Sequence, residues 1–294
     1  MTDKTSPLIS VLMTVYNREE YIAEAIASVI NSTYKNWELI IVDDRSTDNS
    51  LNIAHSYKNK DKRIHVYLNE KNLGDYPNRN KAASYAKGKY LKYVDADDMI
   101  YPYGLEQLVF FMEQFPDAGF GLCSIEQDAE KIFPFELKPR DIYLRHFVHK
   151  KSVFHKAPLS SVIKRSVFEK NNGFANVRHY GDFEMWLRLS KSYNLVLMPH
   201  GIVWYRVTDG QEASIRKKNP MNAFNTINAG ISHVKSKDCP LSAVQKERVA
   251  LMFQKQIASL ILFNYRKGKI IKANELKAQS GLNLLKILKL KFFN

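Results

Sequence analysis

Three carboxylates fall within four residues at Asp95-Ala96-Asp97-Asp98, directly behind the apolar segment Tyr90 to Val94. Carboxylates gathered this closely repel one another, and the arrangement is costly unless positive charge sits among them. A divalent cation shared with substrate phosphates meets that need, because Mg2+ takes one or two carboxylates together with phosphate oxygens. The same pattern also occurs as a solvated acidic turn, and a bare Asp-x-Asp taken alone favours that plainer reading. Asp43-Asp44 closes another apolar run; a carboxylate there can accept from a base N–H or ribose hydroxyls, or can simply form an Asx turn before Ser46. Arg79 follows a loop containing Gly74 and could pair with a diphosphate, although a lone arginine is more often a surface residue. Asp182, in His179-Tyr180-Gly181-Asp182-Phe183, opens an apolar helix. It reads as an N-terminal cap or as a general base for an acceptor hydroxyl.

The elements that must hold these residues alternate in type. Leu8 to Val15 and Trp37 to Val42 are nearly continuous apolar runs, as expected of strands buried on both faces. Ile64 to Leu68 and Tyr90 to Val94 complete four strands. Helical spacing between them puts helices after Asn17, which is placed to cap the first, after Ser46-Thr47-Asp48, and over Asn78 to Ala86, where Gly88 is placed as the stop. Such alternation predicts an α/β fold with a mainly parallel sheet and helices on both faces. Ligands then bind beyond the carboxyl ends of the strands, where Tyr16-Asn17, Asp43-Asp44 and the Asp95 cluster all fall. The second half is less regular. Tyr103 to Phe115, Val162 to Lys170 and Asp182 to Lys191 read as helices, Gly119 to Ser124 and part of Leu195 to Val207 as strands, and Lys131 to Ser152 as a loop with short helices. From Pro220 onward the chain reads as helical, with a break near Cys239-Pro240.

Taken in order, ISVLMTVYN from Ile9, WELIIVDDRSTDNS from Trp37 and NEKNLGDYPNRNKAASYAKGKYLKYVDADD from Asn69 resemble the family 2 glycosyltransferases. The likeness is close over residues 8 to 102 and looser to about 216, through GDFEMWLRL and YRVTDGQEAS. It implies the GT-A fold, and inverting transfer from a nucleotide diphosphate sugar, typically a UDP-sugar, to a hydroxyl acceptor. By the same resemblance Thr14, Tyr16 and Asn17 line the nucleotide pocket and Asp43 meets the base. Arg79 lies near base and diphosphate, Asp95 approaches ribose and metal, and Asp97 is the principal ligand of Mg2+ or Mn2+. Asp182 is the catalytic base, and Arg206 or Arg216 helps hold the diphosphate at the start of a closing loop. One departure stands out: the family usually has Glu-Asp at the base, and Gly181 replaces the Glu. The domains implied are a catalytic domain over 1–215 (nucleotide half 8–102, acceptor half 103–215) and a basic helical region over 216–294.

The chain of 294 residues has 44 Lys and Arg against 30 Asp and Glu, a net charge of +14, which points to an anionic partner. Half of that excess lies between Leu260 and Asn294, where eight basic residues meet only Glu275. The stretch Asn283 to Phe293 mixes leucines with lysines and reads either as a membrane-surface helix, suited to a lipid-linked acceptor, or as a helix packed on the protein. Two cysteines give no disulfide framework, and neither a signal peptide nor an apolar run of about 18 residues is evident, so a cytoplasmic location is expected, peripheral to the membrane at most. A sugar-nucleotide nucleotidyltransferase would need a glycine-rich loop after the first strand, and Thr14 to Glu19 has no glycine. A basic nucleic-acid-binding protein is poorly served by an acidic pocket and lacks a recognisable module, so no nucleic acid partner is expected.

Overall fold

In the computed structural model, residues 6–207 and 219–292 are described. They form two compact units, one of residues 6–142 and 153–207, the other of residues 143–152 and 219–292. The expected boundary at 215/216, together with Arg216, lies outside the described residues.

The first unit is built on an eight-stranded sheet. Its strands are β1 (Ile9–Val15), β2 (Trp37–Asp43), β3 (Ile64–Leu68), β4 (Tyr90–Tyr93), β6 (Ala118–Leu122), β7 (Phe135–Leu137), β8 (Ser161–Lys164) and β9 (Asn194–Leu197). The order is β3-β2-β1-β4-β8-β6-β9-β7. Strands β3, β2, β1 and β4 are mutually parallel, while β8 runs antiparallel between β4 and β6. From β1 the chain builds β2 to one side and β4 to the other. The carboxyl ends of these three strands therefore meet at a switch in strand order, where a crevice opens. Every residue of β2 is buried, which explains its largely apolar sequence; its buried Glu38 accepts from the Ser10 hydroxyl at 2.6 Å.

The flanking helices of this half are α1 (Ile22–Ile30), α2 (Ser50–Lys58), α3 (Asp75–Ser84) and α4 (Gly104–Gln114). In α1 the buried residues Ile22, Ala25, Ile26 and Val29 recur at helical spacing and face the sheet. A two-residue strand β5 (Met99–Ile100) follows the acidic cluster and pairs antiparallel with β10 (Val203–Trp204). That pairing returns the chain from residue 203 onward to the acidic cluster. Helices α5 (Pro139–Tyr143), α6 (Arg165–Lys170) and α7 (Gly181–Leu189) come later in the chain.

Several local expectations are corrected. Residues 161–164 form a central strand, not the start of a helix. With one strand on each side and both faces covered, their burial follows no alternation. Phe135–Leu137 is an edge strand within the segment expected to be a loop. Asn17 does not cap α1. It takes a left-handed backbone at φ 52°, and its Oδ1 accepts from the Thr47 backbone N–H at 2.8 Å. Gly88 is not a helix stop, since α3 ends at Ser84; a Cβ there would lie 2.7 Å from the Ser10 nitrogen, so only glycine lets the chain pass this close to β1.

The second unit contains α8 (Pro220–Lys235), α9 (Ala243–Arg266), α10 (Ile270–Ser280) and α11 (Leu284–Phe292). Ser242 opens α9 with a reciprocal capping box to Gln245, and Gly281 ends α10 in the left-handed conformation at φ 64°. Its core is Phe224, Ile257, Ile261, Leu276, Leu282 and Ile287 with Ala258. Among the described residues, no helix is long and apolar enough to cross a membrane.

Candidate active site

The crevice at the switch is framed by the loops after β1, β2 and β4. At the end of β2 the two aspartates separate in role. Asp44 is buried; its Oδ1 accepts from Asn69 Nδ2 at 2.7 Å and the Leu73 N–H at 2.8 Å, and its Oδ2 from the Gly74 N–H at 2.9 Å. It thereby ties down the loop that leads into α3. Asp43 is equally buried but only its Oδ1 is engaged, by the Ser46 N–H at 2.8 Å. Its Oδ2 has no hydrogen-bond partner among the described residues. An acceptor left bare in the interior costs about 1–3 kcal/mol, so this oxygen is set up to receive a donor from a ligand.

Helix α3 carries Arg79 into the crevice. Its guanidinium is buried and binds Asp95 through two parallel hydrogen bonds, NH1 to Oδ1 at 2.5 Å and NH2 to Oδ2 at 3.0 Å, while Nε binds Asp75 at 2.7 Å. Burial opposes its charge, but Asp75 and Asp95 outweigh that and hold the group ionised, well above the usual arginine range. The arginine and Asp95, expected on separate grounds, are thus direct partners.

Asp97 meets Arg18 Nε at 3.1 Å. Burial and the neighbouring Asp95 push its carboxyl above the usual range, against the pull of Arg18. Asp98 is buried and accepts from the Arg206 N–H at 2.9 Å. Burial first, then Asp95, raises it to about 8. Beneath the cluster lies Lys92, fully buried, with Nζ donating to the Leu159 and Ser161 carbonyls. Burial lowers it to about 8, although Cys123, Asp95 and Asp98 favour its charge. Two carboxyls raised by crowding and burial mark a surplus of negative charge that a cation would relieve. Among the described residues no three His, Cys, Asp or Glu side chains converge to hold a metal unaided, so such a cation would need oxygens from elsewhere, as phosphates supply.

Arg206 is brought in by the β5–β10 pairing. Its Nε donates to the Asp97 carbonyl at 2.9 Å, its NH2 pairs with Glu24, and its guanidinium lies 5.0 Å from the ring centre of Tyr21 and 4.9 Å from that of Trp204. It fastens the acidic loop from the outside. Thr14 is half-buried near the end of β1, and Tyr16 just beyond it is half-exposed.

Asp182 stands in the first turn of α7, and its Oδ1 accepts from the Phe183 N–H at 2.7 Å. Its own N–H donates to the Tyr76 hydroxyl at 3.0 Å. Tyr76 lies one turn before Arg79 on α3, so one helix links the candidate base to the acidic cluster. Gly181 is explained by the same contact: a Cβ there would lie 2.7–2.8 Å from Tyr76 ring carbons. The tyrosine ring occupies the space beside residue 181. Burial raises the Tyr76 hydroxyl far above its usual pKa, with Asp182 and Asp75 adding to the effect, so it remains protonated.

Sequence reasoning did not single out Arg18, Tyr76 or Lys92. Arg18 was findable, since it follows the first strand end beside Asn17. Tyr76 and Lys92 carry no local signal, because their roles depend on what folds against them.

The sequence model of glycosyl transferase family 2 matches residues 10–171. An uncharacterised glycosyltransferase of Haemophilus influenzae is 30% identical over 220 residues, 71% of this chain and 68% of that protein. The putative teichuronic acid biosynthesis glycosyltransferase TuaG of Bacillus subtilis is 39% identical over 140 residues, 46% of this chain and 55% of that one. Among solved structures, S. aureus TarS in complex with UDP-GlcNAc superposes with a TM-score of 0.66 at 19% identity, over 85% of this chain and 72% of that one. The mannosyltransferase PcManGT of Pyrobaculum calidifontis, in complex with GDP-Man and Mn2+, gives 0.66 at 16% identity, over 98% and 86%. Likeness at that level of identity shows the fold, a GT-A arrangement.

Proposed function

Since this chain belongs to glycosyl transferase family 2, we propose that it is an inverting enzyme moving a sugar from a nucleoside diphosphate sugar, with uridine as the nucleoside, to a hydroxyl acceptor of carbohydrate or lipid-linked type. The observation that carries the donor half is the bare Oδ2 of Asp43 at the carboxyl end of β2. An N–H of a base, or a ribose hydroxyl, entering from Thr14, Tyr16 and Asn17 would satisfy it. Arg79 holds Asp95 in the fixed orientation of a two-bond pair. Asp97 and Asp95 are the residues that would hold a divalent cation, Mg2+ or Mn2+, whose chemistry is to neutralise charge on the departing diphosphate. The Mn2+ bound with a nucleotide sugar in the mannosyltransferase neighbour supports that assignment. Arg18, about a third exposed and paired to Asp97, can turn from the carboxylate to the diphosphate when the cation arrives. Arg206, now paired with Glu24 and the Asp97 carbonyl, would exchange a partner to help hold the diphosphate.

Asp182 takes the proton of the acceptor hydroxyl as that oxygen attacks the anomeric carbon. Tyr76 holds the backbone of the base, and its neutral hydroxyl adds no competing charge. The reading extends to cell-surface polysaccharide or glycolipid synthesis, the polysaccharide half supported by the likeness to the putative teichuronic acid biosynthesis enzyme TuaG. The family match does not favour a nucleotidyltransferase or a nucleic-acid-binding protein.

A thermal-shift screen of UDP- and GDP-sugars, with and without Mn2+ or Mg2+, tests the reading. Stabilisation by a UDP-sugar that depends on metal is expected, with the metal dependence lost in Asp97→Ala. Asp182→Asn should bind donor normally and transfer nothing. Absence of any stabilisation, or full turnover in either variant, overturns the assignment.

A further inference from the structure

We propose that the C-terminal helical unit seats on an anionic lipid surface through the outer face of its last helix, α11. Two faces of that helix are apolar, and the structure uses only one. Ile287 is fully buried in the core of the unit, with Leu290 packed against it. On the other side Leu284 and Leu285 are 55% and 63% exposed. Leu288, one turn beyond Leu284, is half-buried and continues the stripe. A helix on a water-facing surface ordinarily turns polar residues outward; here leucine is turned outward beside lysine.

Lys286 and Lys289, one turn apart and both exposed, border Leu285. Lys291 lies toward the opposite border, where its Nζ donates to Ser259 Oγ at 3.4 Å. It lines a cavity of about 700 Å3 together with Lys255 and Arg266, against apolar walls that include Met252 and Phe263. The chain has no acidic residue after Glu275. Leucines bordered by lysines on a short helix, beside an apolar-walled cavity with basic side chains, match a bilayer interface in both of its chemistries. The acyl boundary takes the leucines, and acidic headgroups take the cations.

Charge decides between this occupant and a second copy of the chain. A two-fold contact would bring the face against itself, setting Lys286 and Lys289 against their own copies with no carboxylate in the helix to offset them. An anionic surface reverses that sign.

The inference is independent of the donor site and is tested on the full chain by co-sedimentation with vesicles. Binding is expected to vesicles of phosphatidylcholine mixed with phosphatidylglycerol, weakened by salt, and not to phosphatidylcholine alone. Each basic side chain near such a surface is worth about fivefold in partition, so Lys286→Gln with Lys289→Gln should lower it about 25-fold. Leu284→Ser with Leu285→Ser should also lower it clearly, with the thermal midpoint unchanged because both positions are exposed. Equal binding to the two vesicle types, no binding, or leucine variants that bind like the parent would each overturn the proposal. So would a concentration-dependent dimer in light scattering that those serine substitutions abolish.

Discussion

The contact between Gly181 and Tyr76 makes a sharp prediction for Gly181→Ala. The added Cβ would lie 2.7 Å from Cε2 and 2.8 Å from Cδ2 and Cζ of the ring. Carbon atoms pack favourably at about 3.5–4.0 Å, so the ring must retreat by roughly 1 Å. It is buried, packs against Phe174 with ring centres 5.3 Å apart, and is tied by its hydroxyl to the Asp182 N–H at 3.0 Å. Retreat therefore strains the packing and stretches the bond that fixes the backbone of Asp182, the proposed base. Overpacking of this kind costs about 1–3 kcal/mol. Misplacing a reacting group by about 1 Å can cost on the order of 100-fold in rate. Urea unfolding should show the stability loss with an unchanged slope, and an assay of nucleoside diphosphate release in the presence of acceptor should show kcat falling more than KM rises. Adding Tyr76→Ala should remove most of the stability penalty of Gly181→Ala without restoring kcat, since the partner of the Asp182 N–H is then gone. If Gly181→Ala proves as stable and as fast as the parent, the ring does not fill that space. If stability drops but kcat holds, Tyr76 packs there without positioning Asp182.

The paired aspartates at the end of β2 should separate experimentally. Asp44→Ala leaves the donors of Asn69, Leu73 and Gly74 without their acceptor and should cost about 2–4 kcal/mol in urea unfolding, at roughly 1 kcal/mol or more per stranded group. Asp43→Asn keeps the Ser46 contact through its carbonyl and should barely change stability, yet weaken UDP binding in calorimetry by about tenfold, the value of one charge-assisted hydrogen bond; unchanged affinity would remove Asp43 from the donor site. Asp98 supplies a pH test. Its carboxyl binds a proton near pH 8 in the fold and only near the ordinary 3.8 when unfolded, so its contribution to metal-free stability is full below about pH 4 and disappears as pH rises through 8. Thermal midpoints of the parent should therefore fall relative to Asp98→Asn between about pH 5 and about pH 8.5, and parallel curves would contradict the shift. Because Mn2+ and protons compete for the same cluster, the stabilisation by Mn2+ with nucleotide should be larger at about pH 8.5 than at about pH 6.

The strands, the crevice and the acidic cluster were legible along the chain. Strands buried on both faces are largely apolar, and although Ser10, Glu38 and Lys92 are buried within them, β1, β2 and β4 with the aspartates at the ends of β2 and β4 stood out as a linear pattern. The ordering of several weak motifs also carried the family. The division of labour between Asp43 and Asp44, the two-bond pair of Arg79 with Asp95, and the fastening of the cluster by Arg18 and Arg206 belong to the folded molecule alone. The contacts of Arg79 and Arg206 with the cluster span 16 and 109 positions of the chain, and no local spacing encodes which oxygen a distant N–H will reach. The strand at Ser161–Lys164 was hidden for the same reason: its conformation is imposed by neighbours on both sides, and so short a run, buried almost throughout, has no period to read. Gly181 shows the difference most directly. In the sequence it was a missing carboxylate beside the proposed base. In the fold it is the clearance for Tyr76, because a ring from another helix and a side chain at that position cannot occupy the same volume.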